Sequence, residues 1–461
     1  MSEAVQSVQD LKVLQEERSS IFHDVYENKI PKRVPVNVSL AFEPIAQYAG
    51  LDLIQAQWNP PLIEEAADKL CNTFFTDVNP VQGSLRYPSF YTALKSQSFV
   101  MGSNGFIQHP EVIGMMQDEY DYLIEKPLDC IYEKILPRQY KALNLDDPVN
   151  MMLSFSKGLM GFNTDMMSLG PIMGKLTEKY GYYPGSILGG GFTEAPYDFL
   201  ADQLRSFKGV SMDIRRMPQK VYDACEALYP LVKKMGMPRG PVSRYDMTFL
   251  PLHMPTFMRE KDFAKYWWPS FKKLLDDYAS MGIRAGIFCE DDWTRYLDYL
   301  YELPVGTYMM FEYGDPKIIK EKLGRKHIIT GLYPLTYMKN HTKQECIDKA
   351  KEYIDILAPG GNYMFGFDKG ALVLDDLNLE NLAAVTQTVR EHGVYSNAGE
   401  KAGLDFVQSD YTAMPSRQLE SKYYKTWDQY KAVNSNVSDL GAPKLQMFEE
   451  MMFAFSMFLL I

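Results

Sequence analysis

The chain has few cysteines and histidines, and it has no cluster of basic residues. Its five cysteines are widely spaced and include no Cys-x-x-Cys pair, so a framework of disulfides is not expected. Acidic side chains outnumber basic ones by 59 to 48, whereas proteins that bind nucleic acids rely on clustered lysines and arginines. These features argue against a nucleic-acid partner, and the unpaired cysteines predict a cytoplasmic protein.

Long hydrophobic runs are absent as well. Residues 2–20 are polar and charged where a secretory signal would need an apolar stretch. Residues 451–461 form an uncharged apolar run, which is only about half of the roughly 20 residues that cross a bilayer. We therefore expect no membrane contact. We expect this run to form a helix that packs on the body of the protein or on the second subunit of a homodimer.

Short apolar runs alternate with helical patterns through the middle of the chain. Strands are predicted where such runs end in polar residues or glycine, at residues 34–40, 186–188, 242–252, 283–289, 307–312, 327–332 and 363–367. Helical spacing of apolar residues lies between them, for example after the capping box at residues 342–345. Repeated βα units predict an α/β fold with a parallel sheet, closed into a (β/α)8 TIM barrel, with an open doubly wound sheet as the alternative.

The same pattern divides the chain into three parts. Residues 1–30 are predicted to form a helical lead-in. Residues 31–395 hold the predicted barrel, and helical insertions rich in methionine and aromatic residues occupy residues 60–180. Residues 396–461 contain no further βα unit, so they are predicted to form a C-terminal extension.

Four segments follow one another in an order that is typical of one enzyme superfamily. They are residues 207–222 (FKGVSMDIRRMPQKVY), the predicted strand that ends at Cys289, residues 327–334 (HIITGLYP) and residues 378–382 (NLENL). Together they resemble the uroporphyrinogen decarboxylase superfamily, which includes cobamide-dependent methyltransferases. The resemblance spans residues 30–395 and implies a (β/α)8 barrel with its site at the carboxyl ends of the strands.

Two branches of that superfamily differ from this chain at identifiable positions. Porphyrinogen decarboxylases hold a substrate with many carboxylates through arginines after the first strand, where this chain has no arginine and has Glu43. The methylcobamide:thiol methyltransferases bind zinc through a His-x-Cys pair and a later cysteine, of which only Cys289 is present here. The zinc motif is therefore incomplete, although zinc stays a possible cofactor.

The resemblance implies an enzyme that moves a methyl group from a small methylated donor to the Co(I) cobamide of a separate corrinoid protein. Oxygen-rich strand ends favour an O-methyl donor such as a methoxyaromatic compound, because the ether oxygen needs a proton or a metal ion when the methyl group leaves. The chain has no Asp-x-His-x-x-Gly loop for cobalamin, so the corrinoid protein is expected to dock as a partner. The alternatives are a decarboxylase, a thiol methyltransferase and a non-catalytic binding protein.

Candidate catalytic residues follow the predicted strands at one edge of the sheet. Glu312, Asp368 and His253 are predicted to be catalytic, and Cys289, Glu312 and Asp368 are predicted to hold a metal ion if one is bound. Each residue also has a structural interpretation. Cys289 can be a buried small hydrophobe, and Asp291 or Asp292 can be the N-cap of the helix predicted to start at Trp293.

Aromatic residues near the predicted strand ends suggest how the donor is bound. Phe192, Tyr245, Tyr313 and Tyr333 are predicted to line a dry pocket for a methoxylated ring. The glycine run before Phe192 is predicted to form a tight turn, since it lacks the Lys-Ser/Thr of a phosphate-binding loop.

Overall fold

A five-stranded parallel sheet lies at the centre of this α/β protein, in a computed structural model that describes residues 8–83, 86–185, 190–434, 436 and 438–461. The predicted strand 186–188 lies outside the described residues. A separate antiparallel pair precedes the sheet and consists of β1 (Val100–Met101) and β2 (Ile107–Gln108). The parallel strands are β3 (Gly191–Phe192), β4 (Met247–Leu252), β5 (Arg284–Asp292), β6 (Tyr308–Tyr313) and β7 (Ile328–Gly331).

Each parallel strand pairs with the next one in the chain. The spatial order is β3-β4-β5-β6-β7, and every pairing is parallel. An open doubly wound sheet requires a reversal of strand order, and these five strands contain none. Four of the predicted strands agree with β4 to β7. The predicted start at residue 242 is too early, because residues 242–246 are mostly polar and the ladder begins at Met247.

Isolated parallel bridges extend this series beyond β7. Residues 363–367 lie beside β7, residues 34–40 lie beside 363–367, and Val81 follows; the bridged pairs are Ile329–Tyr363, Tyr333–Phe367, Val36–Phe365 and Leu40–Val81. The predicted strand 34–40 contains Pro35, which cannot donate to a ladder, so only single bridges form there. Among the described residues no bridge joins Val81 to β3.

Helices flank the sheet and fill the insertions. Those before β3 are α1 (Val8–Tyr26), α2 (Phe42–Tyr48), α3 (Leu53–Trp58), α4 (Glu64–Leu70), α5 (Pro88–Ala93), α6 (Tyr120–Glu125), α7 (Pro127–Cys130), α8 (Leu136–Gln139), α9 (Pro148–Met166) and α10 (Gly170–Tyr180). Those that connect the parallel segments are α11 (Pro196–Asp198), α12 (Phe207–Arg216), α13 (Pro218–Met235), α14 (Glu260–Asp262), α15 (Trp268–Ser280), α16 (Leu297–Glu302), α17 (Pro316–Leu323), α18 (Leu335–Asn340) and α19 (Lys343–Leu357). The remainder are α20 (Leu379–His392), α21 (Trp427–Val433) and α22 (Ala442–Phe458).

Helix α19 illustrates how the sequence sets these elements. Thr342 accepts a hydrogen bond from the Glu345 amide, and the Glu345 side chain accepts one from the Thr342 amide, as the predicted capping box requires. Residues Cys346, Ala350, Ile354 and Leu357 then repeat at helical spacing and are buried against the rest of the fold.

Two apolar cores lie on opposite faces of the sheet. One core joins Met247, Tyr308, Ile328 and Met364 from the parallel segments to residues of α1. The other core contains their alternate neighbours, including Leu250, Ile287, Met309 and Ile329, together with most of the helices. Alternate residues of a strand face opposite sides, so the sheet separates the two cores. Helix α1 therefore closes one face of the sheet near its amino edge, the edge where the strands begin.

The apolar run at residues 451–461 packs on the helical insertions. This agrees with the expectation that it packs on the body of the protein. Phe455 in α22 is fully buried and contacts Phe90 and Phe162. The Tyr140 hydroxyl donates a hydrogen bond of 2.6 Å to the Leu459 carbonyl. Across the described part of the chain, none of the helices has the length and apolar character that crossing a membrane requires.

We predict that Phe22→Ala lowers the free energy of unfolding by about 3–5 kcal/mol, the usual cost of emptying a buried aromatic site. The Phe22 ring is fully buried and stacks on Tyr183 with centroids 4.5 Å apart. Val13→Ala on the same helix is the control, because Val13 is 54% exposed. Urea denaturation gives both values, and equal midpoints for the two variants would contradict this account of α1.

Candidate functional site

Polar side chains gather at the carboxyl edge of the sheet, where the parallel strands end. His253 directly follows β4, Glu290 lies near the end of β5, and Glu312 lies near the end of β6. The ladder pairs Cys289 with Phe311, which places Glu290 and Glu312 at the same level of the sheet. The edge predicted from the sequence therefore exists, and two of its predicted polar residues, His253 and Glu312, lie there together with Glu290.

His253 occupies the centre of this group. Its Nδ1 lies 2.9 Å from Asp202 Oδ2, and its Nε2 lies 3.2 Å from Glu290 Oε2. Its backbone N–H donates to Asp198 Oδ2 at 3.1 Å. Both ring nitrogens thus face carboxylates, so the arrangement favours an imidazole that carries two protons and donates from each nitrogen.

The protonation of His253 follows from its surroundings. Burial of the ring opposes the charged form, but the hydrogen bond to Asp202 and the charges of Asp202, Asp198 and Glu290 outweigh it. Together they raise the pKa of His253 to about 9. At neutral pH the side chain is therefore a cation that can donate a proton.

Two further carboxyl groups lie behind His253. Asp198 is fully buried, and its Oδ1 accepts a 2.6 Å hydrogen bond from Trp267 Nε1. Glu194 is also buried; its Oε1 accepts from Gln203 at 2.7 Å, while its Oε2 has no hydrogen-bond partner. Burial and then the charge of Asp202 raise the pKa of both carboxyls. This part of the site therefore favours protonated acids.

We call His253, Asp202, Asp198, Glu194, Glu290, Glu312 and Lys369 the acidic cluster. Four members of this cluster were not predicted from the sequence to be site residues: Glu194, Asp198, Asp202 and Lys369. Asp198 ends α11, and Asp202 lies in the π-helical turn Phe199–Arg205 that follows it. The sequence does contain a feature that points to them, because Asp198 and Asp202 are four residues apart and such residues lie on one side of a helix. This helix comes just after the strand that ends before Glu194.

The surroundings of Glu312 favour an ionised carboxylate, whereas the sequence predicted that Glu312 acts as an acid. Its Oε1 accepts a 2.8 Å hydrogen bond from Lys369 Nζ, and its Oε2 accepts a 2.9 Å bond from the Asp291 amide. Burial opposes ionisation, but these two hydrogen bonds and the charge of Lys369 lower the pKa of Glu312. Glu312 is therefore a carboxylate that anchors Lys369, and it is poorly suited to donate a proton.

The backbone at Asp291 explains why that amide reaches Glu312. Asp291 has φ of 62°, and the β5–β6 register shifts between Cys289 and Asp292. Such a bulge turns the backbone N–H toward the neighbouring strand end. Asp291 is thus part of an irregular strand end, which differs from the helix N-cap that the sequence left open.

Asp368 has a mainly structural position. Its Oδ1 accepts hydrogen bonds from the amide of Leu335, 2.8 Å away, and from that of Lys369, 2.9 Å away. Leu335 begins α18, so Asp368 caps a helix from outside its own segment. Burial of the carboxyl raises the pKa of Asp368. Its contribution to the site is to position Lys369.

Cys289 does not join these groups. Its side chain is fully buried in the core shared with the helices, and burial raises the pKa of its thiol well above the usual value. Cys289 and Glu290 are adjacent in β5, so their side chains leave opposite faces of the sheet. The predicted metal ligands Cys289, Glu312 and Asp368 therefore do not converge. Within the described ranges, no group of three or more His, Cys, Asp or Glu is arranged to hold a metal ion.

The four predicted substrate-binding aromatics lie in different places. Tyr313 ends β6 at the carboxyl edge and is 65% exposed. Phe192 in β3 is partly buried beside Phe249, with ring centroids 6.2 Å apart. It also lines a cleft of about 790 Å³ between β3, α9 and α22. Both residues remain accessible to a ligand.

The other two predicted aromatic residues, Tyr333 and Tyr245, make contacts away from His253. Tyr333 is fully buried, packs against Phe367 and donates a 3.0 Å hydrogen bond to the Cys346 carbonyl. Tyr245 precedes β4 and lies at the amino edge, where its ring stacks on His23 at 4.1 Å. The structure therefore does not place Tyr333 or Tyr245 with His253.

Comparison with known proteins does not assign this site. No protein-family model matches the chain, and no curated protein matches it significantly.

We predict that Asp202→Asn lowers the pKa of His253 from about 9 toward the usual histidine value of 6.5. The raised pKa means that protonated His253 contributes stability below about pH 6.5, and this contribution is lost as the pH rises through 9. The Asp202→Asn variant should lose this pH-dependent contribution to stability. Titration of the imidazole signals by NMR measures the shift directly.

The control is Asp355→Asn, which removes the carboxylate of an exposed pair with His392. It should leave the His253 titration unchanged. An unaltered His253 titration in Asp202→Asn would show that Asp202 does not determine the protonation of this histidine.

Proposed function

We propose that the protein is a methyltransferase that protonates the oxygen of a small O-methyl donor as the methyl group passes to the cobamide of a separate corrinoid protein. The observation that carries this proposal is the position of His253 at the carboxyl edge, with a carboxylate facing each of its ring nitrogens. Alkoxides and phenoxides leave slowly from carbon, and a proton donor within reach of the ether oxygen removes that obstacle. A methoxyaromatic compound is the donor class that the proposal favours.

The proton transfer can be assigned to particular atoms. His253 Nδ1 is held by Asp202, while Nε2 faces Glu290, whose side chain is 45% exposed. We assign Nε2 as the donor, since it faces the accessible side. The ether C–O bond breaks, both of its electrons stay on oxygen, and the Nε2 proton moves to that oxygen. The buried carboxyls Glu194 and Asp198 lie close enough to influence how the proton is replaced.

Lys369 offers a second polar contact for the donor. One of its ammonium protons is used by Glu312, and the side chain is half exposed. The remaining protons can bind a hydroxyl or carboxylate substituent of a methoxylated ring. Of the predicted aromatic contacts, Tyr313 is exposed at the carboxyl edge, whereas Phe192 faces a cleft that it shares with residues 237–240, which precede β4.

The order of the parallel segments in the fold also supports this proposal. Eight parallel segments follow one another in chain order: 34–40, Val81, β3, β4, β5, β6, β7 and 363–367. This order is that of a (β/α)8 barrel, so we propose that they form one and that the chain belongs to the uroporphyrinogen decarboxylase superfamily. Enzymes with this fold carry their sites at the carboxyl ends of the strands.

The charge of the acidic cluster favours the methyltransferase over the decarboxylase. Five carboxyl groups surround only two basic side chains, His253 and Lys369; the carboxyls are Glu194, Asp198, Asp202, Glu290 and Glu312. A substrate with many carboxylates would be repelled by the ionised members of this group. A neutral or singly charged methyl ether would not.

The cobamide fits this chain as a cofactor of its partner. Exposed apolar side chains lie at or after the ends of three parallel segments, β4, β6 and 363–367, with Phe257 67% exposed, Tyr313 65% and Leu372 76%. Such a surface suits contact with a partner protein. When docked there, the cobamide would supply the Co(I) nucleophile that accepts the methyl group. Zinc does not fit the predicted ligands, because Cys289 faces the helices.

All five cysteines are unpaired and buried, which is consistent with our proposal that the protein works in the reducing cytoplasm. The apolar helix α22 is covered by the protein itself, yet Met447, Phe448 and Met451 remain exposed. A homodimer would cover them, and size measurement in solution tests this part of the proposal.

We predict that His253→Gln slows methyl transfer from methoxyaromatic donors on the order of a hundredfold to ten-thousandfold, as expected when a general acid is lost. Glutamine preserves a hydrogen-bonding group but cannot supply the proton. The loss of Co(I) absorbance measures the rate, with free cobalamin or a corrinoid protein as acceptor. The control is His341→Gln at an exposed ring that stacks on Tyr337. Near-normal rates in His253→Gln with every donor would refute the assignment of His253 as the general acid.

We predict a different result for Glu312→Gln. Because Glu312 is an anchored carboxylate, the variant should raise KM through Lys369 while the decrease of rate at alkaline pH stays near pH 9, the pKa of His253. In Asp202→Asn the same decrease should move to lower pH. Rate profiles between pH 6 and 10 distinguish the two variants. If the decrease of rate at alkaline pH moved in Glu312→Gln and not in Asp202→Asn, the proton donor would be Glu312 and not His253.

A further inference from the structure

A cavity lined by two arginines lies at the amino edge of the sheet, opposite the acidic cluster. Its volume is about 320 Å³. The residues that line it precede several of the parallel strands, and they include Arg244 before β4, Arg284 at the start of β5 and Gly306 before β6. Tyr26 and Phe406 add aromatic walls from α1 and from the C-terminal extension.

Arg284 is held by neutral groups alone. It is 2% exposed, and its guanidinium donates to the carbonyls of Arg244, Gly306 and Tyr26. Burial lowers the pKa of Arg284 to about 10, and the only opposing influence is the hydroxyl of Tyr26. The three carbonyls fix the orientation of the side chain but do not neutralise its charge.

Arg244 lies beside this first guanidinium. Its charged group sits 3.4 Å from the centre of the Phe406 ring and donates no hydrogen bond to any described residue. Burial and then the charge of Arg284 lower the pKa of Arg244 to about 9. Gly306, with φ of 76°, leaves the space that both groups use, since a Cβ there would lie 2.8 Å from Arg284 and 3.3 Å from Arg244.

No described carboxylate compensates this pair of cations. The two acids that line the cavity have other partners: Glu27 binds Lys29 and Tyr245, and Asp405 binds Lys401 and Asn28. Arg284 is buried and Arg244 is half-buried, so the repulsion between their charges is weakly screened, and an anion between them would offset it.

We infer that this cavity binds a phosphate group between Arg244 and Arg284, carried by inorganic phosphate or by a small phosphate monoester. Planar guanidinium groups match the oxygens of phosphate and donate to two of them at once. The cavity lies at the other edge from His253, so this inference stands apart from the proposed methyl transfer.

The test is calorimetric titration of inorganic phosphate and of methyl phosphate into the full chain, at constant ionic strength in a chloride buffer. We expect saturable binding of at least one of the two ligands by the wild-type protein. Arg244→Gln should weaken it at least tenfold. Arg244 is chosen because Arg284 holds three backbone carbonyls, and its replacement is expected to disturb folding.

Arg216→Gln on the exposed end of α12 is the matched control and should bind phosphate like the wild type. Acetate should bind at least tenfold more weakly than the tighter phosphate ligand. The inference is overturned if the wild type binds neither phosphate ligand at millimolar concentration, if Arg244→Gln binds as well as the wild type, or if acetate binds as tightly.

Discussion

The site depends on one interaction, the contact of a protonated imidazole with two carboxylates. His253 lies between Asp202 and Glu290, and the Asp198 carboxyl accepts from its backbone. Without a positive charge on the ring, these acids would face one another in a partly dry environment. The hydrogen bond to Asp202 and the charges of Asp202, Asp198 and Glu290 raise the pKa of His253. This contact gives the edge a proton donor that functions at neutral pH.

The sheet separates two regions of opposite charge. At the carboxyl edge, acidic groups surround a histidine; at the amino edge, Arg244 and Arg284 surround a cavity without a partner among the described carboxylates. An apolar core that includes Met247 and Tyr308 and is covered by α1 lies between them. Since a strand only a few residues long connects the edges, the fold can hold a chemical site and an anion site in a small space.

Much of the sheet could be predicted from the sequence, and part of the site could not. Apolar runs ending in polar residues identified β4 to β7, and parallel strand ends must share an edge, which located His253 and Glu312. Cys289 was misassigned because adjacent strand residues face opposite sides, and a one-residue difference decides which face is polar. Asp202 was not predicted, because it lies on a helical turn that is far from β4 in the sequence and meets His253 only in the folded protein. Glu312 was predicted to be a proton donor because its contact with Lys369 also forms only in the folded protein.

The most direct test of the central claim varies the acidity of the leaving oxygen in a series of substituted methoxybenzenes. If His253 protonates that oxygen, the rate of the wild-type enzyme should depend weakly on the pKa of the phenol released. The rate of His253→Gln should fall steeply as that pKa rises, because the variant must expel a phenoxide without help. Equal slopes for the two proteins would contradict proton donation by His253.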